Sequence, residues 1–182
     1  MKASVTLVDM TAVEVFELTS QGGASDFADV IEACSELGPY CLIGGLAVNC
    51  YVEPVYTMDA DLVLVPSFLP ELPARLASAG FQVSEFPHSV NARRGLSQLR
   101  IQFTTDPRYY DFPTRASRRL VLEQPVMVAS LEDIFQGKLW ASSDPSRRLS
   151  KRKKDELDLI RLAEAFPVLR AKLPLALREL LP

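Results

Sequence analysis

The sequence predicts a mixed α/β fold whose C-terminal third is helical. In the first 130 residues, short apolar runs with strand character alternate with segments whose apolar residues recur every three or four positions. Beyond residue 130 only the helical spacing is present. The length of 182 residues and the apolar content of 48% are typical of a soluble globular protein. We therefore expect an α/β core over 1–130 and a helical region over 131–182 that packs on it.

The first half of the chain contains three strand-like runs separated by helical segments. Thr11, and Ser25 or Asp26, are possible N-caps, and Gly38 is a helix stop signal. The predicted elements are helices at 11–18 and 26–37, a strand at 40–44, a helix at 46–52, a strand at 60–66, a helix at 69–80 and a strand at 81–86.

The second half begins with a turn-like stretch at 88–95. The segment 97–105 alternates apolar and polar residues, which predicts a strand with one polar face. The segment 119–130 has strand character but contains Pro125, so we expect it at a sheet edge. The remaining predicted elements are helices at 131–143, 147–166 and 173–181.

Several classes of protein are excluded by composition. Every apolar run is shorter than the roughly 18 residues that cross a bilayer, and the N-terminal MKASVTLVDM lacks the apolar core of a signal peptide. A cytoplasmic location without a membrane partner is therefore expected. Cys34, Cys41 and Cys50, with His88 as the one histidine, fit no zinc or disulfide framework. We expect the three thiols to be small buried apolar groups.

Charge is distributed unevenly along the chain. Residues 1–90 contain two basic and twelve acidic residues, whereas 91–182 contain eighteen basic and eleven acidic ones. An acidic part that collects cations and a basic part that collects phosphates would have this pattern. Two halves that neutralise each other across an internal interface would have it as well.

Two glycines follow the strand predicted at 40–44. A strand that turns through Gly44 and Gly45 into a helix leaves backbone N–H groups unpaired, and the missing Cβ atoms let a phosphate approach them. Glycine is also used in such turns simply for packing. The pair therefore indicates a possible phosphate site without requiring one.

The Asp59-x-Asp61 pair at the start of the next strand is more specific. Residues two apart in a strand project to the same face, so both carboxylates converge. Their repulsion is relieved by a cation, and hard oxygen ligands favour Mg²⁺ or Mn²⁺. The alternative is a solvated surface pair, but the position behind a double-glycine turn favours a metal site at Asp59 and Asp61.

IGGLAV at 43–48 followed by TMDADLVLV at 57–65 resembles the signature of nucleotidyltransferases of the DNA polymerase β type. That signature is an apolar residue before GG or GS at a strand–helix turn, then hDhDh on the next strand. GKLWA around Lys138 and KKDELDLIRL at 153–162 resemble, more narrowly, the minimal AbiEii-type group of bacterial toxin–antitoxin systems. The resemblance implies a nucleotidyltransferase-like mixed sheet flanked by helices.

The resemblance also implies an activity. A nucleoside monophosphate would pass from an NTP to a hydroxyl of a protein or of a tRNA-like RNA, with Mg²⁺ or Mn²⁺ at Asp59 and Asp61. The turn at Gly44, Gly45 and Leu46 would contact the nucleotide. An antitoxin protein would be a partner if the chain is a toxin.

Two positions depart from the family pattern. Leu46 stands where many members have Ser or Thr, and Gln102 stands on the strand that usually supplies a third carboxylate. Asp106, on the same face just past that strand, is the candidate third acid, unless it only caps the turn before Pro107. A degenerate member that binds a nucleotide or a partner without turnover is the alternative function.

The helical third contributes further candidates. By resemblance, Lys138 would neutralise phosphate charge. Asp155 and Asp158, three apart on one helix face, would lie near the nucleotide or join the helical part to the sheet. The alternatives are a solvated lysine and an acidic helix turn that pairs with Arg161 or Lys154. The basic run 147–154 is either an RNA-backbone contact, which allows a third function as a nucleic-acid-binding module, or a solvated face.

Overall fold

The computed structural model describes residues 10–181. The N-terminal segment for which the sequence predicts no signal peptide lies outside the described residues, except for Met10. The division at residue 130 stays a prediction of the sequence. None of the described helices is long and apolar enough to cross a membrane.

The centre of the fold is a mixed seven-stranded sheet, as the sequence predicts. The strand order is β3-β4-β5-β2-β1-β7-β6, with β2/β5 and β1/β7 parallel and the other neighbours antiparallel. The strands are β1 (Tyr40–Ile43), β2 (Asp59–Leu64), β3 (Gln82–Phe86), β4 (Ser89–Arg93), β5 (Arg100–Thr104), β6 (Ser117–Val121) and β7 (Gln124–Val128).

Seven α-helices accompany the sheet among the described residues, and short 3₁₀ turns lie in some of the connections. Those after residue 130 follow the predicted pattern, although the last one is a single turn. The helices are α1 (Ala12–Ser20), α2 (Gly23–Leu37), α3 (Gly44–Val48), α4 (Leu72–Ser78), α5 (Leu131–Ser143), α6 (Leu149–Ala165) and α7 (Leu175–Arg178).

The core is one apolar cluster to which both the sheet and the helices contribute. The fully buried side chains of β1 and β2, such as Leu42 and Leu62, share it with Phe135 of α5 and Leu159 of α6. Burying a large apolar side chain stabilises a fold by about 1.5–3 kcal/mol, so these contacts fix α5 and α6 against the strands. Cys34 and Cys41 are buried in the cluster, as expected, and Cys50 is half-buried.

Helix α2 begins one turn earlier than predicted. Its N-cap is Gly22, and its free N–H groups are satisfied from a distance: the carboxylate of Glu17 accepts hydrogen bonds from the amides of Ala24 (2.7 Å) and Ser25 (3.1 Å). Neither Ser25 nor Asp26 caps the helix. Thr11 does cap α1, with Glu14 completing a capping box.

The predictions for two segments are wrong, because both segments contain strands that form hairpins. The turn-like stretch 88–95 contains β4, which pairs with both β3 and β5. The single strand at 119–130 is the β6–β7 hairpin, which turns at Leu122 and Glu123, both with positive φ. Strand β7 is therefore not at the edge, but it meets β1 near its Val128 end, so Pro125 lies clear of that ladder.

Candidate active site

Strand β2 carries the two predicted carboxylates on one face of the sheet. Asp59 and Asp61 line a cleft of about 320 Å³ together with Gly44 and Gly45, which open α3. Gly44 has a φ of +70°, and a Cβ at this position would overlap the Asp61 carboxylate. The glycine is therefore needed twice, for the backbone turn and for the close approach of β2.

Asp59 is held by two cations. Its carboxylate accepts from Arg100 Nε at 2.7 Å and from Lys151 Nζ at 3.1 Å. Burial alone would raise the pKa of Asp59, but the Lys151 hydrogen bond and the charges of Lys151, Arg100 and Lys154 outweigh it, so the pKa lies below its usual value. Asp59 is ionised at neutral pH.

Asp61 has a different environment. No described residue donates a hydrogen bond to its side chain, although it lines the cleft. Burial raises the pKa of Asp61 and the nearby Asp59 charge raises it further, while Lys138 and Lys151 act in the opposite direction. An unpaired carboxylate beside a second one is a position where a cation would lower the free energy.

Basic side chains from the 147–154 run line the same cleft. Arg147 lies on the loop before α6, Arg148 is the N-cap of α6, and Lys151 and Lys154 lie in its first turns. Lys154 Nζ also lies 3.4 Å from the Thr57 hydroxyl. The sequence predicts an RNA contact or a solvated face for this run, and it does not identify these four residues as cleft residues. The three-residue spacing of 148, 151 and 154, which is one helix face, is the signal that could have found them.

Lys138 lies in a buried cluster rather than free in the cleft. Its ammonium group lies 2.7 Å from the carboxylates of both Asp155 and Asp158, and all three side chains are more than nine-tenths buried. Burial alone would lower the pKa of Lys138, but the two carboxylates raise it above its usual value. The predicted nucleotide-binding lysine is thus neutralised by the two predicted nucleotide-binding aspartates, and together they join α5 to α6.

Arginines complete this cluster from outside. Arg147 lies 3.0 Å from Asp155, and Arg161 lies 2.8 Å from Asp158. Lys138 and Asp155 line the cleft, whereas Asp158 is not among the lining residues. Asp158 therefore forms the salt bridge with Arg161 that the sequence offered as the alternative.

Two further predicted site residues are not brought to the cleft. Leu46 is buried in the hydrophobic core. Asp106 caps the following 3₁₀ turn and forms a salt bridge with Arg108 at 2.6 Å, which with the Arg108 hydrogen bond holds its pKa below the usual value. The cause is local: the chain turns at Pro107 before the alternation of β5 can continue.

Gln102 occupies the position opposite Asp61. Strands β2 and β5 are parallel and in register there, and both side chains line the cleft. Among residues 10–181, no group of three acidic, histidine or cysteine side chains is placed to hold a metal ion. Asp59 and Asp61 are the carboxylate pair on one strand face of the cleft. Asp133 and Asp155 also line it, and they form salt bridges with Arg115 and with Lys138 and Arg147.

A family model matches most of the chain. The family model described as nucleotidyl transferase AbiEii toxin, type IV TA system, matches residues 32–182. No curated protein sequence matches the chain.

Solved structures share the fold at low identity. ANT(2'')-Ia in complex with adenylyl-2''-tobramycin is 17% identical, with a TM-score of 0.59 over 86% of this chain and 95% of that one. JHP933 from Helicobacter pylori is 17% identical, with a TM-score of 0.53 over 87% and 71%. An antigenic nucleotidyltransferase-like protein from Paracoccidioides brasiliensis is 19% identical, with a TM-score of 0.50 over 88% and 94%.

Proposed function

Because the chain belongs to the AbiEii nucleotidyltransferase toxin family, we propose that its cleft binds a nucleoside triphosphate with Mg²⁺ or Mn²⁺ and transfers the nucleoside monophosphate to a hydroxyl. The observation that carries this proposal is the meeting of Asp59, Asp61 and the Gly44 turn with four basic side chains in one cleft. A divalent ion fits the carboxylates, and cationic side chains fit the triphosphate.

The donor set matches the requirements of magnesium. Mg²⁺ is usually held by one or two carboxylates together with phosphate oxygens and water, so a third protein ligand is not required for binding. Asp61 lacks a hydrogen-bond donor among the described residues, which leaves its oxygens free for an ion. When bound, the ion would withdraw charge from the phosphate oxygens and from the leaving pyrophosphate.

In the proposed complex, basic side chains would hold the triphosphate. Lys151, Lys154 and Arg148 line the cleft and would neutralise phosphate charge. Lys138 has no such role in this proposal, since Asp155 and Asp158 already balance its charge. When the nucleotide and its cation bind, the cation would compete with Lys151 for the Asp59 carboxylate. Lys151 would then release Asp59 and pair with a phosphate.

The reaction breaks one bond and forms another. The acceptor hydroxyl oxygen forms a bond to the α-phosphorus, the bond from that phosphorus to the bridging oxygen breaks, and pyrophosphate leaves with the electron pair. Gln102 has no basic atom with which to take the hydroxyl proton, and Asp106 is paired to Arg108. We therefore assign the proton to solvent water, which predicts slow turnover.

Gln102 also favours a second candidate function. A cleft without a third carboxylate could bind a nucleotide or a partner protein without transferring the nucleotide. In that case the two carboxylates and the basic side chains would keep their binding roles. This second function differs from the first only in turnover, so a turnover assay separates them.

The biological role rests on the family. We propose that the protein acts in the cytoplasm as the toxin of a toxin–antitoxin pair, with an RNA or protein hydroxyl as acceptor and a separate antitoxin as partner. Expression of the wild type should then slow bacterial growth, and Asp61→Asn should restore it.

Label transfer tests the activity. NTPs labelled at the α-phosphate are incubated with Mg²⁺, total RNA and the protein, and the RNA and protein are separated. We expect label on one acceptor class with the wild type and none with Asp61→Asn. Asp111→Asn is the matched control, because Asp111 is exposed and does not line the cleft. Saturable NTP binding without label transfer would establish the second function instead.

A further inference from the structure

The cleft has a second kind of surface besides its charged one. Tyr109, Gly137 and Ala141 line it, backed by the buried side chains of Phe112 and Ile134. We call these five residues the apolar wall. The wall offers little to a phosphate, because an ion there would lose hydration without gaining a partner.

The Tyr109 ring is held in place by other rings. Its centroid lies 5.1 Å from that of Phe112 and 5.3 Å from that of Trp140, and both contacts are edge-on. Such edge-on aromatic contacts stabilise a ring beyond simple burial. The ring is therefore a rigid part of the cleft and not a loose surface group.

Helix α5 makes room for this ring. A Cβ at Gly137 would lie 3.1 Å from Tyr109 Cε1, closer than side chains normally pack. The next cleft-lining residue of α5 beyond Lys138 is Ala141, which has only a methyl group. The small residues of the helix and the aromatic ring packed against them form an apolar part of the cleft lining.

We propose that the apolar wall binds the nucleobase of the nucleoside triphosphate, with Tyr109 as the stacking residue. The inference rests on the proposed function and adds the direction in which the nucleotide lies: phosphates at Lys151 and Arg148, base at Tyr109. Every nucleobase has a flat aromatic face, and a stacking contact contributes about 1–3 kcal/mol. Loss of the ring should thus weaken NTP binding by about tenfold.

The chain provides its own reporter for this site. Trp140 is its one tryptophan and packs against Tyr109, so its fluorescence should respond to a base bound at the wall. Each of the four NTPs and inorganic tripolyphosphate are titrated with Mg²⁺ into the full chain, and binding is also measured by calorimetry. Tripolyphosphate carries the same charges without a base.

Three variants complete the test. Tyr109→Leu removes the ring, and Ala141→Leu adds a larger side chain at a half-buried, cleft-lining position of α5. Tyr110→Phe is the matched control, because its hydroxyl donates to Thr105 O at 2.9 Å and its side chain does not line the cleft.

We expect NTPs, but not tripolyphosphate, to change Trp140 fluorescence. Tyr109→Leu and Ala141→Leu should weaken NTP binding about tenfold and leave tripolyphosphate binding unchanged, and Tyr110→Phe should change neither. If the wild type binds NTPs but both wall variants keep its affinity, the wall inference is wrong and the proposed function stands. If the wild type binds no NTP, both are wrong.

Discussion

Replacing Lys138 by methionine tests whether this lysine joins the two helices or serves the nucleotide. Its ammonium group lies 2.7 Å from Asp155 and 2.7 Å from Asp158, and the side chain is 9% exposed. Lys138→Met leaves two buried carboxylates without their shared cation. Removing one partner of a buried ion pair typically costs about 3–5 kcal/mol.

The structure favours the lower end of that range. Asp155 keeps Arg147 at 3.0 Å and Asp158 keeps Arg161 at 2.8 Å, so neither carboxylate is left wholly unpaired. We expect the free energy of unfolding to fall by about 3 kcal/mol, which for a chain of this length lowers the Tm by about 6–12 °C.

Urea unfolding followed by circular dichroism measures this loss. Lys153→Met is the matched control, since Lys153 pairs with Glu156 at 2.7 Å but is 64% exposed, and exposed pairs contribute under about 1 kcal/mol. A Lys138→Met protein that is as stable as Lys153→Met but binds NTP more weakly would refute the structural role. It would show instead that Lys138 contacts the phosphates.

Three further perturbations address the turn, a helix cap and the missing carboxylate. Gly44→Ala should destabilise the protein by at least about 1 kcal/mol more than Gly95→Ala in urea unfolding, because both have positive φ but a Cβ meets Asp61 at Gly44 and open space at Gly95; equal losses would argue against the close approach. The hydrogen bond from Ser25 is the largest cause of the lowered pKa of Glu17. The stability that the ionised Glu17 contributes is therefore present above the unfolded pKa near 4.5, and it is lost as pH falls through the folded pKa. Glu17→Gln should accordingly cost about 1 kcal/mol at pH 7 and progressively less in unfolding curves below pH 4.5, and a pH-independent cost would contradict the capping account. Gln102→Glu should raise the rate of label transfer, since it adds a carboxylate opposite Asp61; a lower rate with unchanged NTP binding would show that the amide itself is needed.

The sequence was sufficient where the signal is local. Two glycines after an apolar run and two aspartates at strand spacing predict the turn and the shared face, and both lie at one cleft in the structure. Long segments with helical spacing also predict α5 and α6, because a buried helix face needs that period.

The sequence was insufficient where a turn lacks the usual turn residues and where another element caps a helix. The β6–β7 turn uses Leu122 and Glu123 at positive φ, so none of the usual turn residues marks it. Helix α2 is capped by Glu17 from the preceding helix.

The same limit applies to the site. That Lys138 would meet Asp155, or that Lys151 would reach Asp59 from another element, depends on tertiary packing that spacing along the chain does not contain. The basic run could be located in the sequence, but not the cleft it lines.

The central claim is that Asp59 and Asp61 bind a divalent ion together with a nucleotide. Electron paramagnetic resonance of Mn²⁺ measures this directly, by titrating the ion into the protein with and without a non-hydrolysable NTP analogue. The account predicts saturable Mn²⁺ binding by the wild type that the analogue tightens, and its loss in Asp61→Asn but not in Asp111→Asn. Mn²⁺ binding that is equal in all three proteins would contradict it.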